Sequence, residues 1–350
     1  MIPTSRKSLI FPIFLVFLLP ACASQQVKIG DWLDPDINAI WPEPPAQPRI
    51  QLLRVVSGAT DLYNEEEKGG FFSWLLGKPI DEALLVSPYG IVADGRGRIW
   101  VADPGSNAVR LYSLSKRGVE SIDQAEGVGL ESPVGVAYDQ NKEIVYVSDS
   151  SRRKVFLFSV SGGYLGKLAP PGDFERPAGL AVDKEGSLYV VDVTRGVIDL
   201  FDRNGTYLRS IGSASAANGL FNHPSNVAVD SAGRVYVVDS LRFRVEVQDA
   251  DGKLIGLVGQ LGDAAGTFSR PRGVGIDSDG HIYVVDAAFD NIQIFDLTGR
   301  LLLAVGGPGD APGELCLPAG LYIDNADRIY VTEACNHRFQ VMQYLDVLGE

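Results

Sequence analysis

A single unit recurs through this chain, and it restricts the fold more than any other feature. In the stretch 271–299, PRGVGIDSDGHIYVVDAAFDNIQIFDLTG, three strand-like runs are separated by turn signals. Copies begin at Pro88, Pro133, Pro177, Pro224, Pro271 and Pro318, at spacings of 45, 44, 47, 47 and 47 residues. A steady period of this size belongs to propellers or solenoids. Each copy opens with Pro and a short apolar run ending in Asp, as in GLAVD or GVGID. A turn such as Asp183–Gly186 or Asp277–Gly280 follows, with Asp bonding its own turn and Gly available for positive φ. The second run (LYVVD, VYVVD, IYVVD) is β-branched and aromatic, the third alternates (VFLF, IQIF), and a fourth apolar run follows Gly. Four short antiparallel strands make one propeller blade. The first run is rich in Gly and Ala, which suits strands crowded round an axis. No unit carries the 3.6-residue period of a helix. The expected fold class is therefore all-β: a six-bladed β-propeller of four-stranded antiparallel blades.

The units resemble the NHL family of six-bladed β-propellers. The resemblance rests on Pro-x-Gly-Val-x-Val-Asp, then Ile-Tyr-Val-x-Asp, then Asn-His-Arg with an apolar run. It is fullest in Tyr330–Met342 (YVTEACNHRFQVM) and covers Pro88 to about Leu345. It implies the fold and leaves the function open, because propellers host binders and enzymes alike.

The fragments at the two ends complement each other. The segment 49–57 (RIQLLRVVS) reads as a fourth strand without its first three, and the sixth unit has three strands and stops near Leu345. The expectation is that 49–57 completes the last blade and closes the ring, leaving no bare edge. The domain plan is then a lipoprotein signal peptide at 1–21, a Pro-rich stretch at 22–48 and the propeller at 49–350, with an insertion at 60–86 before the first blade.

Arg6 and Lys7 followed by the apolar run 9–19 form a secretory signal too short to span a bilayer. It ends Leu19-Pro20-Ala21-Cys22, which resembles the bacterial lipoprotein box. That resemblance implies acylation of Cys22 and a membrane anchor, and Ala23 after it points to the outer membrane, facing the periplasm or the cell surface. Cleavage after Ala21 or Ala23 in an ordinary secreted protein is the other reading. The stretch 22–48, with Trp41-Pro42-Glu43-Pro44-Pro45, reads either as a stiff spacer or as a segment packed along the propeller. Phe71–Leu76 in the insertion is apolar and reads as a helix packed over one face or docking elsewhere.

Cys316 and Cys335 fall in two loops of the sixth unit that share a face, and an oxidising compartment makes them an expected disulfide. The formal net charge is −13, and −15 without Arg6 and Lys7. So acidic a chain lacks the basic footprint of a general nucleic-acid binder.

A catalytic constellation is hard to assemble. His223, His281 and His337 occupy different positions in the repeat. They do not reproduce the axial zinc site of the six-bladed amidating lyases that NHL propellers resemble. Calcium-dependent lactonases of similar architecture use Glu, Asn and Asp from several blades. Here most Asp sit at turns, and Asp103, Asp149, Asp192, Asp239, Asp286 and Glu333 close every second strand, a six-fold pattern that argues for the fold. No catalytic residue, metal ligand or cofactor is assigned; a channel Ca2+ is compatible with this composition but not indicated by it.

Function should lie where the copies differ. The loops flanking each Pro and following each second strand share a face and carry Tyr89, Arg152, Arg153, Arg176, Arg195, His223, Asn226, Arg242, Arg270, Arg272, Phe289 and His337. Seven of these twelve are Arg in an acidic chain, which suits capture of a carboxylate or phosphate. The alternative is that the arginines pair with the strand-end Asp residues and knit the blades. The function expected is a monomeric, lipid-anchored envelope scaffold that binds a protein, peptide or glycan partner. A metal-dependent lactonase or lyase acting in the channel is the alternative.

Overall fold

The computed structural model describes residues 32–62, 84–213, 215–217 and 219–345. Six antiparallel sheets carry the six repeats. Blade 3 shows the plan: Pro177–Val182, Leu188–Asp192, Val197–Phe201 and Tyr207–Ile211, paired in sequence order from the axis outward. Blades 1, 2, 4 and 5 follow it, from Ile91–Ala93, Pro133–Asp139, Pro224–Val229 and Pro271–Ile276.

The last blade closes the ring as expected. Its inner strands are Pro318–Ile323, Arg328–Glu333 and Arg338–Tyr344, and Ile50–Val56 pairs antiparallel to the third, with Val56 opposite Phe339 and Gln51 opposite Gln343. One further strand lies outside it: Ile40–Trp41 pairs with Gln51 and Ile50. The described part of the Pro-rich stretch therefore packs on the last blade. Trp32, fully buried, meets the Tyr330 ring edge-on, and its carbonyl accepts a hydrogen bond from Arg54 Nε.

The core is divided six ways, with one apolar cluster in each gap between neighbouring blades. Phe156 and Val147 meet Trp100 and Val109 between blades 1 and 2; Leu53, Phe339 and Tyr330 meet Tyr112 and Ile99 between blades 6 and 1. Each blade buries its two faces against two neighbours, so none has a complete core alone. The outermost strands are half wet, as in Leu254–Val258, where Ile255 and Leu257 are exposed.

Near the axis the blades approach within backbone contact. The residue two after the repeat Pro is Gly in five units: Gly90, Gly135, Gly179, Gly273 and Gly320. A Cβ on Gly90 would stand 2.5 Å from the Val134 carbonyl oxygen, and one on Gly273 would stand 2.7 Å from that of Ala319. No side chain fits there without moving backbone. The fourth unit has Asn226 at this place.

Cys316 and Cys335 form a disulfide with Cα atoms 5.6 Å apart, in the last blade. Cys22, the signal stretch, and Phe71–Leu76 of the insertion lie outside the described residues.

Candidate functional site

The strand-end carboxylates explain how the loop face is held. Asp286, fully buried, accepts the N–H groups of Ser269 at 2.7 Å and Arg270 at 3.0 Å. Asp103 accepts those of Val86 and Ser87, Asp149 those of Glu131 and Ser132, and Asp192 those of Glu175 and Arg176. Asp239 holds Asn222 and Glu333 holds Cys316 in the same way. Every entry loop is thus clamped to the end of its own second strand, and these carboxylates are used up in doing so. The hairpin Asp residues at the opposite end are similarly engaged: Asp230, Asp277 and Asp324 accept the hydroxyls of Tyr236, Tyr283 and Tyr330 at 2.9, 3.0 and 2.9 Å.

With the carboxylates committed, the loop-face cations divide into two groups. Arg242 Nη1 donates to Asp239 at 2.7 Å and to the Leu220 carbonyl at 2.9 Å. Arg195 donates to Asp199 at 2.6 Å. Arg153 Nε donates to the Phe174 carbonyl, and Arg152 reaches the carbonyls of Ala125, Val128 and Gly129 while lying over the Phe156 ring. These four knit loops. His337 Nδ1 lies 2.6 Å from the Val86 carbonyl oxygen, and Phe289 is half-buried.

Arg176, His223, Arg270 and Arg272 form the second group. Among the described residues, none of their side chains meets a hydrogen-bond acceptor or a carboxylate within ion-pair distance. Arg176, His223 and Arg270 are the residues immediately before the repeat Pro in blades 3, 4 and 5, and all are exposed. The same place holds Ser87, Ser132 and Leu317 in blades 1, 2 and 6. Two guanidinium groups, in blades 3 and 5, therefore flank an imidazole in blade 4.

Arg272 sits two residues further along, directly after the repeat Pro, at the channel mouth. Its counterparts are Tyr89, Val134, Ala178, Ser225 and Ala319. Its guanidinium lies 5.6 Å over the Tyr89 ring, reaching from blade 5 to blade 1 across small Ala319. Burial pulls its pKa down from the usual arginine value, Tyr89 partly offsets this, and Arg270 adds to the fall. Both residues are positioned by hydroxyls of the preceding blade: Ser225 Oγ donates to the Arg272 carbonyl at 2.9 Å and Thr332 Oγ1 to the Tyr89 carbonyl at 2.6 Å. Nothing in the repeat pattern marked those hydroxyls beforehand, since they bridge sequence separations of 47 and 243 residues.

Tyr89 and Asn226 line the channel itself, a cavity of about 140 Å3 walled by the innermost strands. Asn226 Oδ1 accepts the N–H of Val227 at 2.7 Å, which leaves its amide NH2 without a protein partner among the described residues. The mouth thus gathers a guanidinium, an amide and a phenol, all able to donate, from blades 5, 4 and 1. Donors of this kind suit an oxyanion. Among the described residues, no group of three or more His, Cys, Asp or Glu stands close enough to hold a metal. His281 Nδ1 is 2.8 Å from Asp277 on the opposite face.

Two family models match the sequence of these blades. The NHL repeat matches residues 268–295 and 315–342, which are blades 5 and 6. The chain is an NHL-repeat β-propeller. The SMP-30/Gluconolactonase/LRE-like region matches 91–224, across the first three blades of the propeller. NHL repeat-containing protein 2 of Bos taurus is 27% identical over 155 residues, 35% of this chain and 21% of that protein. The alignment thus spans about a fifth of that relative. Among solved structures, an auxiliary nutrient binding protein from Bacteroides thetaiotaomicron superposes on the propeller with a TM-score of 0.58 at 13% identity, covering 75% of this chain and 70% of the other. Virginiamycin B lyase from Staphylococcus aureus gives 0.53 at 12%, covering 74% and 95–96% respectively in two structures, the second at 0.52. At these identities the likeness is one of fold.

Proposed function

We propose that this propeller is a non-enzymatic binding scaffold of the bacterial cell envelope. Cys22, acylated, ties it to the membrane, and its loop face captures an anionic group on a protein, peptide or glycan partner. The observation that carries this reading is the pair of unpaired cations at Arg176 and Arg270, with His223 between them, in a chain of net charge −13. Cations without acid partners on an acidic surface contribute little to stability and stand ready for a ligand. The Staphylococcus and Bacteroides neighbours show that the same fold serves a lyase and a nutrient binder, so the choice rests on side chains.

Crosslinking in envelope membranes tests it, comparing the intact protein with Arg176→Ala/Arg270→Ala. Two charge-assisted contacts at about 1.5–3 kcal/mol each predict at least a tenfold loss of crosslinked partner, with the melting temperature nearly unchanged. A lower melting temperature with undiminished crosslinking returns both arginines to the fold. The match to the gluconolactonase-like region favours a second reading, a metal-dependent lactonase or lyase acting in the channel. Metal analysis of the purified protein separates the two: stoichiometric Ca2+ or Zn2+ would favour the enzyme.

A further inference from the structure

We infer that the channel mouth on the loop face receives the C-terminal carboxylate of a peptide, with Arg272 as its anchor. This rests on the loop-face reading above and gives it a ligand class. Three observations carry it.

The first is the asymmetry of the mouth. At the two innermost loop-face positions the ring departs from small residues in blades 4, 5 and 1, at Asn226, Arg272 and Tyr89. All three present donors without acceptors among the described residues. One guanidinium fork over a phenol, with an amide on the same channel wall as that phenol, suits a planar monoanion with two oxygens.

The second is size. The channel of about 140 Å3 lies on the axis and its wall is closed by six strands, so it takes a chain end pointing inward and not a polymer laid across it. On the same measure a single water needs roughly 10–15 Å3, so the space exceeds that of a trapped water.

The third is the wall. In every blade the innermost strand is the last of its sheet, paired on its outer side only. Its other edge, rich in Gly, borders the axis without a strand partner, and at the mouth the Arg272 and Tyr89 carbonyls are taken by Ser225 and Thr332. An unpaired inner edge suits an extended peptide, and capture of a C-terminal carboxylate is a known mode of peptide recognition. Arg176 and Arg270, further out, then draw the acidic end inward.

The test uses the full chain and a pentapeptide library randomised at its last three positions, made once with free C-terminal carboxylates and once as amides. Retention is read by mass spectrometry. The acids are expected to be retained at least about tenfold over the amides, the effect of one charge-assisted contact. Arg272→Ala should abolish that preference and Asn226→Gly should reduce it about threefold, within the range of one neutral hydrogen bond. Both variants install residues that sister blades already carry, Ala178 or Ala319 and the five glycines, so both should fold. Should Arg272→Ala fail to fold by circular dichroism, Tyr89→Val, the blade 2 residue, reads the same mouth. Equal retention of acids and amides overturns the inference, as does a preference that survives in the folded mouth variants. If the acid preference is missing while Arg176→Ala/Arg270→Ala still loses its envelope partner, only the terminal-carboxylate inference falls. If that partner is retained as well, the loop-face reading falls with it.

Discussion

Asp192 and Asp199 stand on neighbouring strands of blade 3, both fully buried, with different partners. Asp192 accepts backbone N–H groups from a loop that cannot leave. Asp199 relies on Arg195 and the Ser210 hydroxyl, and burial pushes its pKa up despite them, with Asp192 nearby adding to the rise. Its counterparts are Glu246, Gln293 and Gln340, so the neutral amide is an accepted solution in blades 5 and 6. A carboxyl whose folded pKa exceeds its unfolded value binds its proton more readily in the native state. Its contribution is full below the unfolded pKa, about 3.9, and lost as pH rises through the folded value. Wild type should therefore gain stability relative to Asp199→Asn as pH falls from neutral toward 4. Urea unfolding of both proteins across that range checks this, and parallel curves would contradict it. The sequence marked Asp192 by its six-fold repetition. It could not mark Asp199, whose burial is set by the strand outside it. Likewise, all seven loop-face arginines were legible as candidates, but their division into knitting and unpaired groups depends on which carbonyls lie within reach.

At the scale of one blade, the sixth is the exception. Its strands come from both ends of the described chain, and Cys316–Cys335 links its entry loop to the loop after its second strand. A bridge with a separation of 19 residues is worth on the order of 3 kcal/mol in the chain-entropy account. Cys316→Ser/Cys335→Ser should lower the melting temperature by several degrees with the far-ultraviolet spectrum kept, and an unchanged temperature would show the blade is held without it. The blade plan was legible from run, turn and run, because each hairpin is local. The fifth strand, Ile40–Trp41, was not, since two residues beside cis Trp41–Pro42 carry no strand signal of their own.

For the molecule as a whole, closure decides whether six half-buried sheets become one body. Leu53 is fully buried in the gap between blades 6 and 1, with Phe339 and Val341 on one side and Tyr112 across it. Leu53→Ala should cost about 2–5 kcal/mol, read as a lower urea midpoint with the slope kept. A loss below about 1 kcal/mol would mean that the ring does not unfold as one unit through this gap. The gap is also where Arg328, in an ion pair with Asp324 at 2.8 Å, reaches the Gly95 carbonyl of blade 1 at 3.0 Å, so the two ends of the ring are joined by polar contacts as well as apolar ones.

The amino-acid order by itself determined the number of blades, their four-strand layout, the partner of Ile50–Val56 and the face that carries the variable loops. Each of these follows from periodicity and from local turn chemistry, which act between residues close along the chain. Tertiary structure alone decided which arginines are spent on carbonyls and carboxylates, that Arg272 lies over Tyr89, and that Tyr89 and Asn226 line one channel. Those residues come from blades 5, 1 and 4, and only a closed circle brings such distant positions to one axis.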